Sequence, residues 1–170
     1  MMKYVAAMLT VAAAAMLGRY AALHQKDEVR TLEALVKMFS DIKSMLGFTC
    51  PPVGDILIKL CSDTGFSSLV FLSECKNRCE QGEAFPDAWE NALKEKYRES
   101  SLSRENAQKL SGFGRGLGAT DLEGQLASCT LYETMFSSEL ERVGKAAEKN
   151  SGLYMPLGFF AGLAAAIFIV

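Results

Sequence analysis

An all-α fold, an antiparallel helical bundle of about six helices whose long first and last members continue into apolar ends, is what this 170-residue sequence predicts. Three observations predict it. Apolar residues recur at three- and four-residue intervals from Leu32 to Ala147, no segment alternates with period two, and both ends carry long runs nearly free of charge.

The elements follow in order. Leu32, Leu35, Phe39, Ile42 and Leu46 make one apolar stripe, and Gly47, lacking a Cβ, is the expected stop of the first helix. Pro51 and Pro52 reset the chain. Val53, Ile56, Leu57, Leu60 and Cys61 form a second stripe, closed by Gly65. A third helix is expected over Ser67 to Gln81, ended by Gly82. Pro86 suits the first turn of a fourth, in which Phe85, Ala88, Trp89, Ala92 and Leu93 line one side. Trp89, the single tryptophan on that stripe, reads as core. Ser103 reads as the N-cap of a fifth helix that carries Leu110 and Phe113 inward. After a glycine-rich turn, Thr120 and Glu123 have the spacing of a capping box for the last helix. There Leu122, Leu126, Cys129, Phe136, Leu140, Val143 and Ala147 follow a coiled-coil-like seam, with Glu133 in its one polar slot.

The ends predict membrane attachment. Leu153 to Val170 contains no charged side chain, and a helix of that length spans roughly 27 Å, near the ~30 Å apolar thickness of a bilayer. Tyr4 to Leu23 holds one charge, Arg19, but is dominated by alanine. A cleaved signal peptide and a retained transmembrane helix compete for this segment. Retention is favoured, because the run exceeds the usual ~7–15 apolar residues of a signal and no breaker precedes the helical pattern near Asp27. Arg19, Lys26 and Arg30 follow the first span and Lys145 and Lys149 precede the second, with only Lys3 opposite. The excess of positive residues puts the middle in the cytoplasm. The expected organisation is a transmembrane helix over 1–23, a cytoplasmic helical domain over 24–152 and a transmembrane helix over 153–170.

Composition excludes several function classes. The chain has 18 Lys+Arg against 20 Asp+Glu, a net charge of −2, and no basic footprint for nucleic acid. Its five cysteines, Cys50, Cys61, Cys75, Cys79 and Cys129, match no paired zinc spacing and read as reduced, buried thiols. The lone His24 stands far from every cysteine in sequence, so no thiol has an evident base. No catalytic, cofactor-binding or metal-ligating residue is expected, and no small-molecule substrate.

One run tempts toward chemistry. Gly112-Phe113-Gly114-Arg115-Gly116-Leu117-Gly118 satisfies G-x-G-x-x-A through Ala119. A dinucleotide site needs those glycines between a buried strand and a helix N-terminus. Here a polar, helical stretch precedes them, and Asp121 and Glu123 follow where a phosphate would sit. The run therefore reads as a helix stop and tight turn in which Gly118 takes a positive φ, while Phe113 and Leu117 staple the corner to the core.

At this turn Phe113-Gly114-x-x-Leu117-Gly118-x-x-Asp121-x-x-x-Gln125 resembles the signature of the stage III sporulation protein AB family of spore-forming Firmicutes. The Pro51–Pro52 turn, Gly82 followed by Ala88-Trp89, and the ending Leu157-Gly158-Phe159-Phe160-Ala161-Gly162-Leu163 are similar to that family too, although Val53 stands where its proline turn has a leucine. The resemblance implies residence in the mother-cell membrane around the forespore and membership of a transenvelope channel complex. It implies a domain similar to the platform proteins of type II secretion and type IV pilus machines, with a cytoplasmic secretion-type ATPase and other channel subunits as partners. The expected activity is that of a non-catalytic platform, and the expected partner-binding residues are Phe113, Gly114, Arg115, Leu117, Gly118, Asp121 and Gln125. A platform subunit of a secretion or pilus system is the alternative.

Overall fold

The computed structural model describes the backbone of residues 2–169 and the side chains of residues 16, 20 and 23–149. Six α-helices follow one another: α1 Met2–Phe48, α2 Val53–Ser62, α3 Phe71–Glu80, α4 Phe85–Lys96, α5 Arg104–Gly116 and α6 Leu122–Ile169. A single 3-10 turn, Thr64–Phe66, separates α2 from α3, and no strand occurs among the described residues. The all-α expectation holds. Two compact units are present, one of residues 30–140 and one formed by residues 1–29 with 141–170.

In the 30–140 unit the predicted stripes are the core. Leu32, Leu35, Phe39, Ile42 and Leu46 of α1 are buried, as are Ile56, Leu57 and Leu60 of α2 and Ala88, Trp89, Ala92 and Leu93 of α4. Each large side chain so buried contributes about 1.5–3 kcal/mol of apolar transfer. A connected set of aromatic rings links the helices. Phe71 of α3 meets Trp89 of α4 edge-on at 4.9 Å, Trp89 lies 5.9 Å from Phe113 of α5, and Phe113 meets Phe39 of α1 edge-on at 4.8 Å. Phe39 in turn stacks on Tyr132 and Phe136 of α6. Edge-on and offset rings add attraction beyond their buried area.

Polar pairs fix how the helices meet. Lys43 of α1 pairs with Glu133 of α6, so the polar slot in the seam is filled by an interhelical ion pair. This pair and the Phe39 contacts join the same stretches of α1 and α6. Arg78 of α3 bonds Glu74, Glu83 and Glu95, closing the α3–α4 hairpin. Lys37 reaches Asp63 at 2.6 Å and lies 4.3 Å from the centre of the Phe66 ring, tying α1 to the 3-10 turn.

Four boundaries differ from expectation. α1 passes through Gly47 and stops at Phe48; Cys50 takes φ +43°, and Pro51, which cannot continue a helix, does the stopping. Gly65 does not close α2; it lies inside the 3-10 turn, where its N–H donates to Asp63 Oδ1 at 2.7 Å. α3 begins at Phe71, four residues after Ser67, because tight turns at Phe66 and Leu69 occupy the intervening backbone. Leu122 heads α6 but is 40% exposed, so the seam begins later. Gly82, at φ +92°, ends α3 as its sequence indicates, and Pro86 sits in the first turn of α4.

In the other unit, Glu141 and Lys145 pair along α6 at 2.5 Å, and Tyr20 and His24 lie ring to ring at 6.5 Å along α1. Among the described residues no helix is long and apolar enough to cross a membrane. The spans expected over 1–23 and 153–170 fall almost wholly on side chains outside the described residues.

Candidate functional site: the corner between α5 and α6

The glycine run does not form a turn along its length. α5 starts at Arg104, with the Ser103 side chain accepting the Asn106 N–H at 3.2 Å as predicted, and continues through Gly112 and Gly114 to Gly116. The reason lies on α4. Gly114 is buried against Trp89, and a Cβ built there would lie 2.2 Å from Cδ1 of the indole. A Cβ at Gly112 would lie 2.8 Å from the Tyr132 hydroxyl. Gly114 lets α5 approach α4 more closely than any larger residue allows, while at Gly112 the tip of the Tyr132 side chain would have to give way. The indole N–H then donates to the Leu110 carbonyl at 2.9 Å, so a buried polar group is satisfied and the two helices are locked in register.

Beyond α5 the corner is short. The Leu117 N–H donates to the Phe113 carbonyl at 3.1 Å, and the Leu117 side chain is buried. Gly118 takes φ +79°, the positive value its sequence predicts. Asp121 is the residue before α6, and its Oδ1 accepts the Gly124 N–H at 3.0 Å. The N-cap is therefore Asp121, one residue after the expected Thr120, and Gly124 instead of Glu123 occupies the capping-box position. A carboxylate here also complements the positive end of the helix dipole. Gln125 closes the loop twice: its amide N–H donates to the Thr120 carbonyl at 3.0 Å, and its Oε1 accepts the Gly118 N–H at 3.1 Å.

Each predicted site residue thus has a definite place. Phe113, Gly114 and Leu117 are buried; Gly118, Asp121 and Gln125 hold the turn. Arg115 is exposed and bonds Glu90 of α4 through Nε at 3.2 Å and a terminal nitrogen at 2.5 Å. Glu90 also bonds Lys94, and these hydrogen bonds from Lys94 and Arg115 hold its carboxyl down at about 2. The sequence reading missed Glu90, which is distant in sequence and carries no local signal. It also missed Val53, whose Cγ2 lies 2.9 Å from where a Cβ on Gly118 would stand. That approach sets the α1–α2 turn beside the α5–α6 corner.

Of the five thiols expected to be buried only Cys75 and Cys129 are; Cys61 and Cys79 are half-buried, and Cys50, in the non-helical turn between α1 and α2, is exposed. Burial pushes Cys75 and Cys129 up, Cys129 to about 11, and burial also raises Cys61 and Cys79, so the neutral thiol is the favoured form of all four. Among the described residues no group of three His, Cys, Asp or Glu side chains is placed to hold a metal ion.

No curated protein and no solved structure matches this chain. A family model, stage III sporulation protein AB, matches residues 3–170, from the first apolar segment through the corner to the end of the last. The chain therefore belongs to the stage III sporulation protein AB family of sporulation proteins.

Proposed function

We propose that this protein is a non-catalytic platform subunit of a membrane complex required for endospore formation, held in the mother-cell membrane by both apolar ends. Its helical domain faces the cytoplasm and grips protein partners, a secretion-type ATPase among them. The observation that carries this reading is the α5–α6 corner. Most of the residues that make up the family-like signature are spent on building one stiff turn: two buried apolar side chains, a positive-φ glycine, a helix cap and a glutamine that bonds both sides of the loop. Such a turn fixes the angle between two helices and the shape of the surface they present, which is what a scaffold needs. Cys75 and Cys129 are buried and their thiols are pushed up by that burial, which agrees with the same reading, since a neutral thiol is a poor nucleophile.

A clean deletion is expected to stall sporulation after engulfment, with the ATPase no longer recovered alongside the other channel subunits. Spore yield equal to that of the parent would end the proposal.

A further inference from the structure

The two halves of α5 are held by different kinds of contact. The buried residues of this helix are Asn106, Leu110, Phe113 and Gly114. The second half is packed tightly: Phe113 meets the rings of Phe39, Trp89 and Tyr132, Gly114 lies against the indole, and the indole N–H bonds the Leu110 carbonyl. The first half is held by a polar side chain. Asn106 is 1% exposed and is one of two buried polar residues among those described. Its amide N–H donates to Glu139 Oε1 of α6 at 3.3 Å, longer than the usual spread of roughly 2.7–3.2 Å. Its other side-chain atom, Oδ1, is shut off from solvent and accepts no hydrogen bond. A buried acceptor without a donor has given up its water for nothing, and the closed structure bears that cost.

We propose that Asn106 and Glu139 form a releasable latch: the first turns of α5 peel from α6 while Leu110 to Gly116 stay packed, and the protein uses this opening in its work. The opening stands on the packing alone; its use in the cell rests on the platform reading above. Peeling exposes Leu102, the buried residue just before the Ser103 cap, which opposes it. It also returns the stranded oxygen of Asn106 to water, which favours it, and the two effects are of similar size. Opening the other half has no such offset. It would part Phe113 from three rings and leave the indole N–H unbonded. A leucine at 106 would extend the buried face of Leu110, Phe113 and Gly114 by one apolar turn and hold this end shut. An asparagine in an apolar seam gives up stability for some specific property of the seam, which here is ease of release.

The test is hydrogen exchange of the full-length chain in detergent, followed at the α5 amides under rising, sub-denaturing urea. Gln108 and Lys109 are expected to exchange through a local opening that urea hardly changes, and Phe113 to Arg115 through a rarer one that urea strongly promotes. Asn106→Leu removes the stranded oxygen, and Glu139, half-buried and with a further partner, is not stranded in its turn. The variant should slow exchange at Gln108 and Lys109 by ~5–30-fold, the range expected for one buried unsatisfied group. In the sporulating host the same variant, made at the parental level, should lower spore yield by a similar factor, because the open state is that much rarer. Two results would overturn the latch. One is a single urea dependence and equal protection along α5. The other is faster exchange in Asn106→Leu, which would mean that a donor such as a bound water already satisfies the oxygen. Slower exchange with parental spore yield would overturn the use of the opening while leaving the platform reading in place. A deletion without effect on sporulation would defeat the platform reading itself.

Discussion

The α3–α4 hairpin and the α5–α6 corner both turn on glycine, yet glycine serves them differently. At the hairpin, Gly82 stands alone at φ +92° with open space around it, and its whole use is to reverse the chain after α3. At the corner, three of four glycines are helical, and two of them, Gly112 and Gly114, stand where a neighbour leaves no room for a side chain. Gly114 faces the Trp89 ring and Gly112 the Tyr132 hydroxyl, while Gly118 alone takes the positive φ of a turn. A glycine that frees the backbone and a glycine that makes room for a neighbour look identical in a sequence. They differ in what lies within a few ångströms.

That difference can be broken experimentally. The largest effect is expected for Gly114→Ala. In an open helix the change gains about 1 kcal/mol from propensity, but here the new methyl must displace the indole, and overpacking of that kind costs about 1–3 kcal/mol or more. The clash should win, with a net loss of about 2 kcal/mol in chemical denaturation of the full chain in detergent. Combining it with Trp89→Phe should recover part of that loss. Strict additivity of the two changes would show that the glycine does not serve the indole.

Gly118→Ala and Gly82→Ala come next. Both force a side chain into the left-handed region, at roughly 1–2 kcal/mol. Gly118→Ala should cost more, because its methyl would also crowd the Val53 side chain, whereas nothing lies near Gly82. Equal midpoint shifts for the two would mean that the two turns do not touch.

The smallest effect concerns Glu90. Its carboxyl is held at about 2, below the ordinary carboxylate value of 4.5, by hydrogen bonds from Lys94 and Arg115. A depressed carboxylate stabilises the fold fully above about 4.5, and that contribution is lost as pH falls toward 2. Because the pair is partly exposed and screened, the contribution is modest. Glu90→Gln should therefore be slightly less stable at neutral pH and should flatten the acid limb of a stability profile between pH 4.5 and 2. A parallel acid limb in the variant would remove the α4–α5 ion pair from the account of this corner.

Much of the fold was legible because its signals are local or periodic. The stripe from Leu32 to Leu46 needs only the spacing of apolar residues, Ser103 only its own hydroxyl, and Gly82 only its place after a helical run. What was not legible depends on partners distant along the chain. The helical state of Gly112 and Gly114 follows from Trp89 and Tyr132, which the sequence does not place beside them. The cap at Asp121 displaces the capping box at Thr120 because α6 begins one residue later, once Gln125 has tied Gly118 to Thr120. The site residues were found through their resemblance to a family signature; their structural duties in the corner became readable only from the hydrogen bonds.

The indole of Trp89 is the only one in the chain, and it is buried, touches rings from α3 and α5, and donates to a carbonyl of α5. Its emission therefore carries no contribution from any other tryptophan. A shift of that spectrum to the red would report water reaching the place where three helices converge. The protein thus contains its own optical gauge of whether partners loosen or tighten the bundle, readable without an added dye.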